Sequence, residues 1–205
     1  MSGKIAALVV TGVLFNIGGA YAQETTTTPG PGFVEVTYIP AGAAFFTSKG
    51  NSPSFGNYGF GTAVTFNVNR YIGVEGELAS MIATTSSLQF GDLNHHPKSP
   101  NLLGYTGNVV VSPWVGHAVV PYATGGIGGL TMFERPELGV TNDTTFLTGN
   151  VGGGVKWYAP NNRWGIRGDY RFAATRSKDD APDFFGRDSR YAHRVYAAVI
   201  INTVR

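Results

Sequence analysis

Apolar and polar residues alternate with a period of two along most of this chain, most clearly between Trp164 and Phe172. One set of alternate positions there is Trp164, Ile166, Gly168, Tyr170 and Phe172, and the other is Gly165, Arg167, Asp169 and Arg171. A β-strand points successive side chains to opposite faces of its sheet. The segment is therefore predicted to be a strand with one apolar, aromatic face and one face that carries three charges of alternating sign.

Eight extended stretches rich in glycine and aromatic residues repeat this kind of pattern, although the last has two mostly apolar faces. They cover residues 33–47, 57–69, 71–85, 102–113, 119–133, 144–159, 163–176 and 190–203. No segment shows the 3.6-residue period of a helix over more than two turns, so the predicted fold class is all-β.

The connections between these strands alternate in length. The short ones follow strands two, four and six, at 69–71, 114–118 and 160–162. The others are intermediate or longer and polar, at 48–56, 87–101, 134–143 and 177–189. An even strand number with short turns at one end and long loops at the other is typical of outer-membrane barrels. We therefore predict an eight-stranded antiparallel up-and-down transmembrane β-barrel with short periplasmic turns and longer extracellular loops.

Alternation alone does not say which face points inward, because a soluble lipocalin-like barrel shows the same period with its apolar residues inside. Aromatic residues near the ends of the apolar faces favour the membrane, since they resemble interfacial girdles; they include Tyr38, Trp157, Trp164 and Phe172. Charged residues make up only 14% of the chain, well under the roughly 25% of soluble domains. We therefore predict a lipid-facing set that includes Val74, Leu78, Val155, Trp157, Ile166 and Tyr170.

The first residues have the composition of an export signal. Lys4 supplies the charge, residues 5–17 are mostly apolar, and Ala20-Tyr21-Ala22 is a small-x-small cleavage site. The apolar run is shorter than the about 20 residues that a spanning helix needs. The predicted organisation is a signal peptide at 1–22, a flexible segment at 23–32 and a barrel at 33–205 that resides in an outer membrane.

Composition excludes some classes of function and mechanism. The chain has no cysteine, so disulfides contribute nothing to its stability, and its net charge of +2 does not indicate a nucleic-acid partner. Glycines at 125, 126, 128, 129 and 152–154 fall on neighbouring strands. We interpret them as relief of crowding or an aid to curvature rather than a phosphate cradle, because no Gly-x-x-x-x-Gly-Lys motif is present.

Four runs of sequence resemble a known family. They are Asn69 to Glu77, Tyr122 to Gly128, Gly152 to Tyr158 and Arg167 to Arg171. They resemble the small outer-membrane β-barrel family of opacity-like and outer-membrane-protein-A-like porin-fold proteins, over about residues 33–205. The resemblance implies the barrel fold and the outer membrane, and it says little about function.

Charged residues on the polar faces predict the contents of the barrel interior. They are Glu35, Glu75, Glu77 and Asp169, together with Lys156, Arg167, Arg171 and Arg194. Equal numbers of each sign suit a sealed interior, where every charge needs a partner. Because the interior of an eight-stranded barrel is just wide enough for side chains to fill, we favour an ionic plug over an ion pathway or gate. We expect the charged residues of strands three, six and seven to form one network, and Glu35 to meet Arg194 at the seam between strands one and eight.

Neither His95-His96 nor His193 predicts a catalytic or metal site. His95-His96, near Asp92, lacks further ligands at a suitable spacing. His193 lies beside Arg194 without the nearby serine that would indicate a lipid-modifying hydrolase. We predict no catalytic residue, no metal and no cofactor.

The last long loop contains two adjacent aromatic residues, Phe184 and Phe185, among charged ones. Exposed aromatic side chains can anchor a binding partner, and the same rings could instead fold over the barrel mouth as a lid. They are candidate loop contacts, and the sequence leaves both interpretations open.

The predicted function is a structural or surface-interaction role in the outer membrane, with weak small-solute passage as a lesser option. The predicted partners are membrane lipid and an extracellular ligand reached through the long loops, with a monomeric barrel and no nucleic acid. Two alternatives stay open: an exported soluble ligand-binding barrel, and a lipid-modifying outer-membrane enzyme.

Overall fold

The computed structural model describes residues 30–47, 50, 52–84, 98–178 and 181–202. Within them the strands are β1 (Val34–Phe46), β2 (Phe55–Asn67), β3 (Ile72–Ala83), β4 (Leu102–Val111), β5 (Val119–Met132), β6 (Thr144–Tyr158), β7 (Trp164–Arg176) and β8 (Arg190–Asn202). A single 3-10 turn, Pro136–Leu138, lies in the β5–β6 loop. Among the described residues, no helix is long and apolar enough to cross a membrane.

The strands pair in sequence order and close into a barrel, because β1 pairs with both β2 and β8. Every pairing is antiparallel. The predicted eight-stranded up-and-down barrel is therefore confirmed, and the alternation of short turns and long loops places the extracellular end at the β1–β2 side. The predicted signal peptide at 1–22 and most of the flexible segment lie outside the described residues.

The one register break among these pairings lies in β1, between Ile39 and Gly42. Pro40 stands at this point and has no N–H to donate to the ladder, so proline in a sheet is confined to edges and bulges. The carbonyl oxygen of Pro40 instead accepts a hydrogen bond from the Tyr58 hydroxyl. The bulge lets β1 bend while the barrel stays closed.

The outward face of the barrel is apolar and the inward face is polar or charged along most of its height. Ile127 and Val151, at the middle of their strands, are 71% and 60% exposed. All six residues of the predicted lipid-facing set point outward, with Trp157 partly covered and the rest exposed. A belt of this size in water would be an aggregation liability, so it is the surface that meets lipid.

The interior has three layers. Apolar side chains from several strands and loops fill the extracellular third, the charged residues occupy the middle, and Val120, Tyr158 and Ile200 form a small apolar layer towards the periplasm. The charged layer therefore lies between two apolar layers.

Candidate functional site

Two strands on opposite walls supply most of the charge in the barrel interior. β3 carries Glu75 and Glu77, and β7 carries Arg167, Asp169 and Arg171. The spacing of two puts each set on one face of its strand. Since β3 and β7 are four strands apart in a closed barrel of eight, the carboxylates and guanidinium groups face each other across the lumen.

Arg167 and Arg171 connect the two walls. Arg171 Nη2 lies 2.8 Å from Glu75 Oε1 and 3.3 Å from Glu77 Oε2, and its Nε lies 3.0 Å from Asp169 Oδ1. Arg167 also contacts Glu75, and its Nη2 lies 2.8 Å from Asp169 Oδ2. Glu75 and Asp169 therefore each have two cationic donors, and such pairing limits the penalty of burying charge.

Arg194 extends this network to β8. Its guanidinium contacts Glu77, and Glu77 also accepts from the Tyr196 hydroxyl at 3.3 Å. Arg194 stands directly opposite Arg171 in the β7–β8 register. Two like charges at paired positions repel each other, and the shared carboxylate of Glu77 offsets this repulsion.

Glu35 and Lys156 form a separate pair below the main network. Lys156 Nζ lies 2.5 Å from Glu35 Oε2, and the Tyr158 hydroxyl donates to the other carboxylate oxygen. Tyr122 links this pair to the layer above. Its hydroxyl donates to Asp169 and accepts from Arg167 Nε at 2.7 Å, and its ring centroid lies 5.5 Å from Lys156 Nζ.

The predicted partners of three residues are wrong in detail. Glu35 was expected to meet Arg194, and Lys156 to join the network of strands three and seven, whereas Glu35 pairs with Lys156 and Arg194 with Glu77. The register gives the reason: Glu35 lies opposite Asn202 at one end of the β1–β8 seam, and Arg194 lies opposite Ala44 near the other end. The two residues therefore lie along the same seam but at different heights in the barrel.

Neutral side chains that the sequence interpretation left out add hydrogen bonds to this layer. Asn108 donates to Glu75 at 3.4 Å, and Thr65 donates to the same carboxylate at 3.2 Å. Tyr122, Tyr158 and Tyr196 bond the other carboxylates. Each of these residues occupies an inward position of its strand. The period of two could therefore have identified them, whereas a search for charged residues could not.

Inward glycines make room for these large side chains. A Cβ at Gly154 would overlap the Gly168 carbonyl oxygen and lie 2.8 Å from the Tyr122 hydroxyl, and a Cβ at Gly126 would overlap Asn108. The interpretation of these glycines as relief of crowding is supported at both positions.

The side chains at the centre of the charged layer are excluded from solvent. Arg167 is 1% exposed and Glu75 is 0% exposed. A water-filled pore would leave the side chains that line it accessible. The burial of these side chains is therefore the observation that favours the predicted plug over a channel lining.

The described part of the β7–β8 loop packs into the extracellular mouth. Phe184 and Phe185 are both 0% exposed and pack into the apolar cluster that also contains Phe46, Phe55 and Phe146. The Phe146 and Phe185 rings stack with centroids 4.2 Å apart. Neither ring is therefore available as an exposed contact, and their position is that of the lid.

Arg190 ties this lid to the barrel wall, a role that the sequence did not indicate. Its guanidinium donates to the carbonyl oxygens of Thr47 at 2.9 Å, Phe184 at 3.2 Å and Phe185 at 3.4 Å, and also to that of Pro53. No carboxylate among the described residues forms a salt bridge with it.

The chain just before β1 is held at the periplasmic mouth by hydrogen bonds. Gly30 N donates to Asn162 Oδ1 at 2.9 Å, and Gly32 N donates to Asn202 Oδ1 at 2.8 Å. Asn67 and Asn202 donate back to the carbonyl oxygens of Gly32 and Gly30. Amide side chains at the ends of β2 and β8 and in the β6–β7 turn therefore bind the backbone of residues 30–32, while the rest of the predicted flexible segment at 23–32 lies outside the described residues.

No metal site is found among the described residues, and His95-His96 with Asp92 lies outside them. His193 points outward, and its Nδ1 lies 2.8 Å from the Tyr170 hydroxyl. Its hydrogen-bond partner is thus a phenol on the lipid-facing surface rather than a serine nucleophile.

Comparison with known proteins agrees with this architecture. The chain belongs to the outer membrane protein beta-barrel domain family, whose model matches residues 7–190. It is therefore an outer-membrane β-barrel protein, and the soluble barrel is not favoured. A search of curated proteins gives no match.

Two solved structures share the fold at low sequence identity. Neisserial surface protein A is 12% identical, with a TM-score of 0.56 over 83% of this chain and 97% of that one. The attachment invasion locus protein of Yersinia pestis, in complex with the heparin analogue sucrose octasulfate, is 15% identical, with a TM-score of 0.50 over 83% of this chain and 99% of that one.

Proposed function

We propose that this protein is a closed, non-conducting barrel that acts at the cell surface through its extracellular loops. The carrying observation is the burial of the charged layer, in which Arg167, Arg171 and Glu75 join opposite walls with their side chains excluded from solvent. Described loop residues also pack into one mouth, and residues 30–32 are held at the other. The interior then supports rigidity, and the part that meets other molecules is the outer surface.

The extracellular surface favours a partner without strong net charge. The exposed end of β7 and the described loop residues at this end together contribute as many bases as acids: Lys98, Arg135, Arg176, Lys178 and Arg187 against Glu134, Glu137, Asp143, Asp183 and Asp188. The heparin analogue bound by the Yersinia pestis protein is polyanionic. A ligand of that class has no excess of positive charge to recognise here, so we favour a neutral or mixed-charge surface partner.

A non-enzymatic, monomeric role fits the same features. The described residues place a tyrosine rather than a nucleophile beside His193. The sheet closes on itself, so no strand edge is left for pairing with a second copy.

Planar-bilayer recording tests the closed interior. We expect no steady conductance from the purified full chain above the baseline of protein-free bilayers. As a positive control, the triple variant Glu75→Ser, Arg167→Ser, Arg171→Ser removes the central side chains and should pass measurable current if it folds; folding is checked by circular dichroism. A large, stable, ion-selective current from the wild type would overturn the proposal in favour of a working pore.

The partner class is tested separately with soluble probes. Immobilised sucrose octasulfate and a neutral oligosaccharide of similar size are compared for binding to the protein in detergent micelles. We expect no salt-sensitive preference for the sulfated probe, and a strong preference that is lost in high salt would contradict the argument from charge.

A further inference from the structure

The periplasmic rim carries a repeated pairing of a basic residue with an exposed aromatic one. The β2–β3 turn has Arg70 beside Tyr71, the β4–β5 turn has Trp114 and His117, and the β6–β7 turn has Arg163 followed by Trp164. All of these side chains are exposed, and Trp114 is 66% exposed. No acidic residue occurs in these three turns.

Among the described residues, neither rim arginine has a counter-charge. No salt bridge among the described residues involves Arg70 or Arg163. The guanidinium carbon of Arg70 lies 5.8 Å from the centroid of the Tyr71 ring. The turns are also ordered, because Asn69 Oδ1 accepts from the backbone N–H groups of Tyr71 and Ile72 at 2.8 and 2.9 Å.

This rim differs in charge from the opposite end of the barrel. The extracellular residues that the structure describes are balanced in sign, whereas the short turns are basic only. Aromatic side chains lie at the headgroup level of a bilayer, and the guanidinium group of arginine binds phosphate through two parallel hydrogen bonds. The aromatic residues therefore place the arginines where lipid phosphates are.

We propose that the periplasmic rim binds anionic phospholipid headgroups of the inner leaflet, with Arg70 and Arg163 as the phosphate contacts on two opposite sides of the barrel. Tyr71, Trp114 and Trp164 fix the depth of the rim in the bilayer, so that the arginines lie at the level of the headgroups. The inference rests on the outer-membrane location and not on the closed lumen, so it stands whether or not the barrel conducts.

Tryptophan fluorescence tests this proposal, because all three tryptophans of the chain, Trp114, Trp157 and Trp164, lie at this end. The full chain is reconstituted into phosphatidylcholine vesicles that contain phosphatidylglycerol. Bromine-labelled acyl chains are placed either on the anionic lipid or on an equal mole fraction of the zwitterionic one. We expect stronger quenching by the anionic lipid, with an enrichment at the rim of about fivefold, which corresponds to about 1 kcal/mol for a basic residue at an anionic surface.

The double variant Arg70→Gln, Arg163→Gln should lose most of this enrichment. A matched variant with the same loss of charge at the other end, Arg176→Gln, Arg187→Gln, should keep it. The charge-conserving variant Arg70→Lys, Arg163→Lys should retain at least part of it and provides the test if the glutamine variant does not fold. Addition of inorganic phosphate should compete no better than sodium chloride of equal ionic strength, because the site is formed with the membrane surface.

Equal quenching by both lipids in the wild type would overturn the proposal. So would full enrichment in a folded glutamine double variant, or an equal loss in the Arg176 and Arg187 variant, since either result would separate the effect from the periplasmic arginines.

Discussion

At the scale of single residues, Arg167 joins two walls of the barrel through three buried partners. Its guanidinium contacts Glu75 and Asp169 and donates to the Tyr122 hydroxyl. Removing one partner of a buried ion pair leaves the other charge uncompensated, which costs more than the pair itself contributes. We therefore expect substitution of a single interior charged residue to destabilise the protein much more than substitution of both partners of an ion pair.

The variant Arg167→Ala should lower the free energy of unfolding by about 3–5 kcal/mol, because two buried carboxylates lose a cationic donor. Denaturant unfolding in detergent micelles, followed by circular dichroism, measures the loss. Arg176→Ala, an exposed arginine on the same strand, is the control and should change stability by less than about 0.5 kcal/mol. A similar small effect for Arg167→Ala would show that the charged layer contributes little.

Glycine positions give a second residue-scale prediction. Gly154→Ala introduces a Cβ that overlaps the Gly168 carbonyl oxygen and crowds Tyr122, so it should cost about 1–3 kcal/mol, as overpacking does. Gly76→Ala meets no atom within 4 Å and should be neutral or slightly stabilising, since glycine weakens a strand. The unfolding midpoints of the two variants measure this difference in stability. Equal changes in midpoint would contradict the crowding account.

At the scale of strands and loops, depth in the membrane decides what an outward substitution costs. Val151 lies at the middle of β6, and Val155 lies four residues nearer the periplasmic end. Four residues of a strand tilted by about 40° span roughly 10 Å along the membrane normal. The apolar band of such a barrel is about 25 Å tall, so Val155 and its neighbour Ile166 lie near its edge.

Val151→Arg should therefore cost about 2–4 kcal/mol, and Val155→Arg or Ile166→Arg no more than about 1 kcal/mol. Folding titrations into lipid vesicles measure the differences. Spin labels at 151, 155 and 166 should all report lipid contact, with the deepest at 151. Water exposure at 151 would reverse the assignment of the outer face.

The lid loop gives the second prediction at this scale. Arg190→Gln removes a cation that binds carbonyl oxygens from both the β1–β2 and β7–β8 loops, and hydrogen bonds from charged groups contribute about 1.5–3 kcal/mol each. Amide hydrogen exchange around 181–187 should accelerate at least about tenfold, while exchange in the strands stays unchanged. Arg187→Gln, on the exposed side of the loop, should leave both unchanged; unchanged exchange in Arg190→Gln would show that the phenylalanines alone hold the lid.

At the scale of the whole molecule, closure of the sheet satisfies the backbone within the bilayer, and the interior charges cancel. Glu35, Glu75, Glu77 and Asp169 face Lys156, Arg167, Arg171 and Arg194, and all but Arg194 are buried. A barrel with these properties needs no disulfide, which is consistent with a chain that has no cysteine.

Export and maturation belong to this scale. Mass spectrometry of the protein from an outer-membrane fraction should find a chain that begins at Gln23, because the small residues Ala20 and Ala22 fit a signal-peptidase site. The variant Ala22→Leu should retain the leader. A mature chain that begins at Met1 would contradict the predicted signal peptide.

The sequence alone determined where the strands lie, which face of a strand each residue occupies, and which end of the barrel carries the long loops. These properties depend on near neighbours in the chain, since a period of two assigns each side chain to a face wherever the strand lies. The positions of Glu75, Arg167 and Asp169 on the inner wall followed from parity, and so would those of Tyr122 and Tyr196.

Only the tertiary structure decided which charges meet and what the loop aromatics do. Glu35 binds Lys156 across 121 residues of sequence, and Arg194 binds Glu77 across 117. These distances depend on strand register and on the curvature of the closed sheet, which alternation does not encode. Phe184 and Phe185 are buried because Phe46, Phe55 and Phe146 from three strands form an apolar mouth above the charged layer, and that surface exists only after the barrel closes.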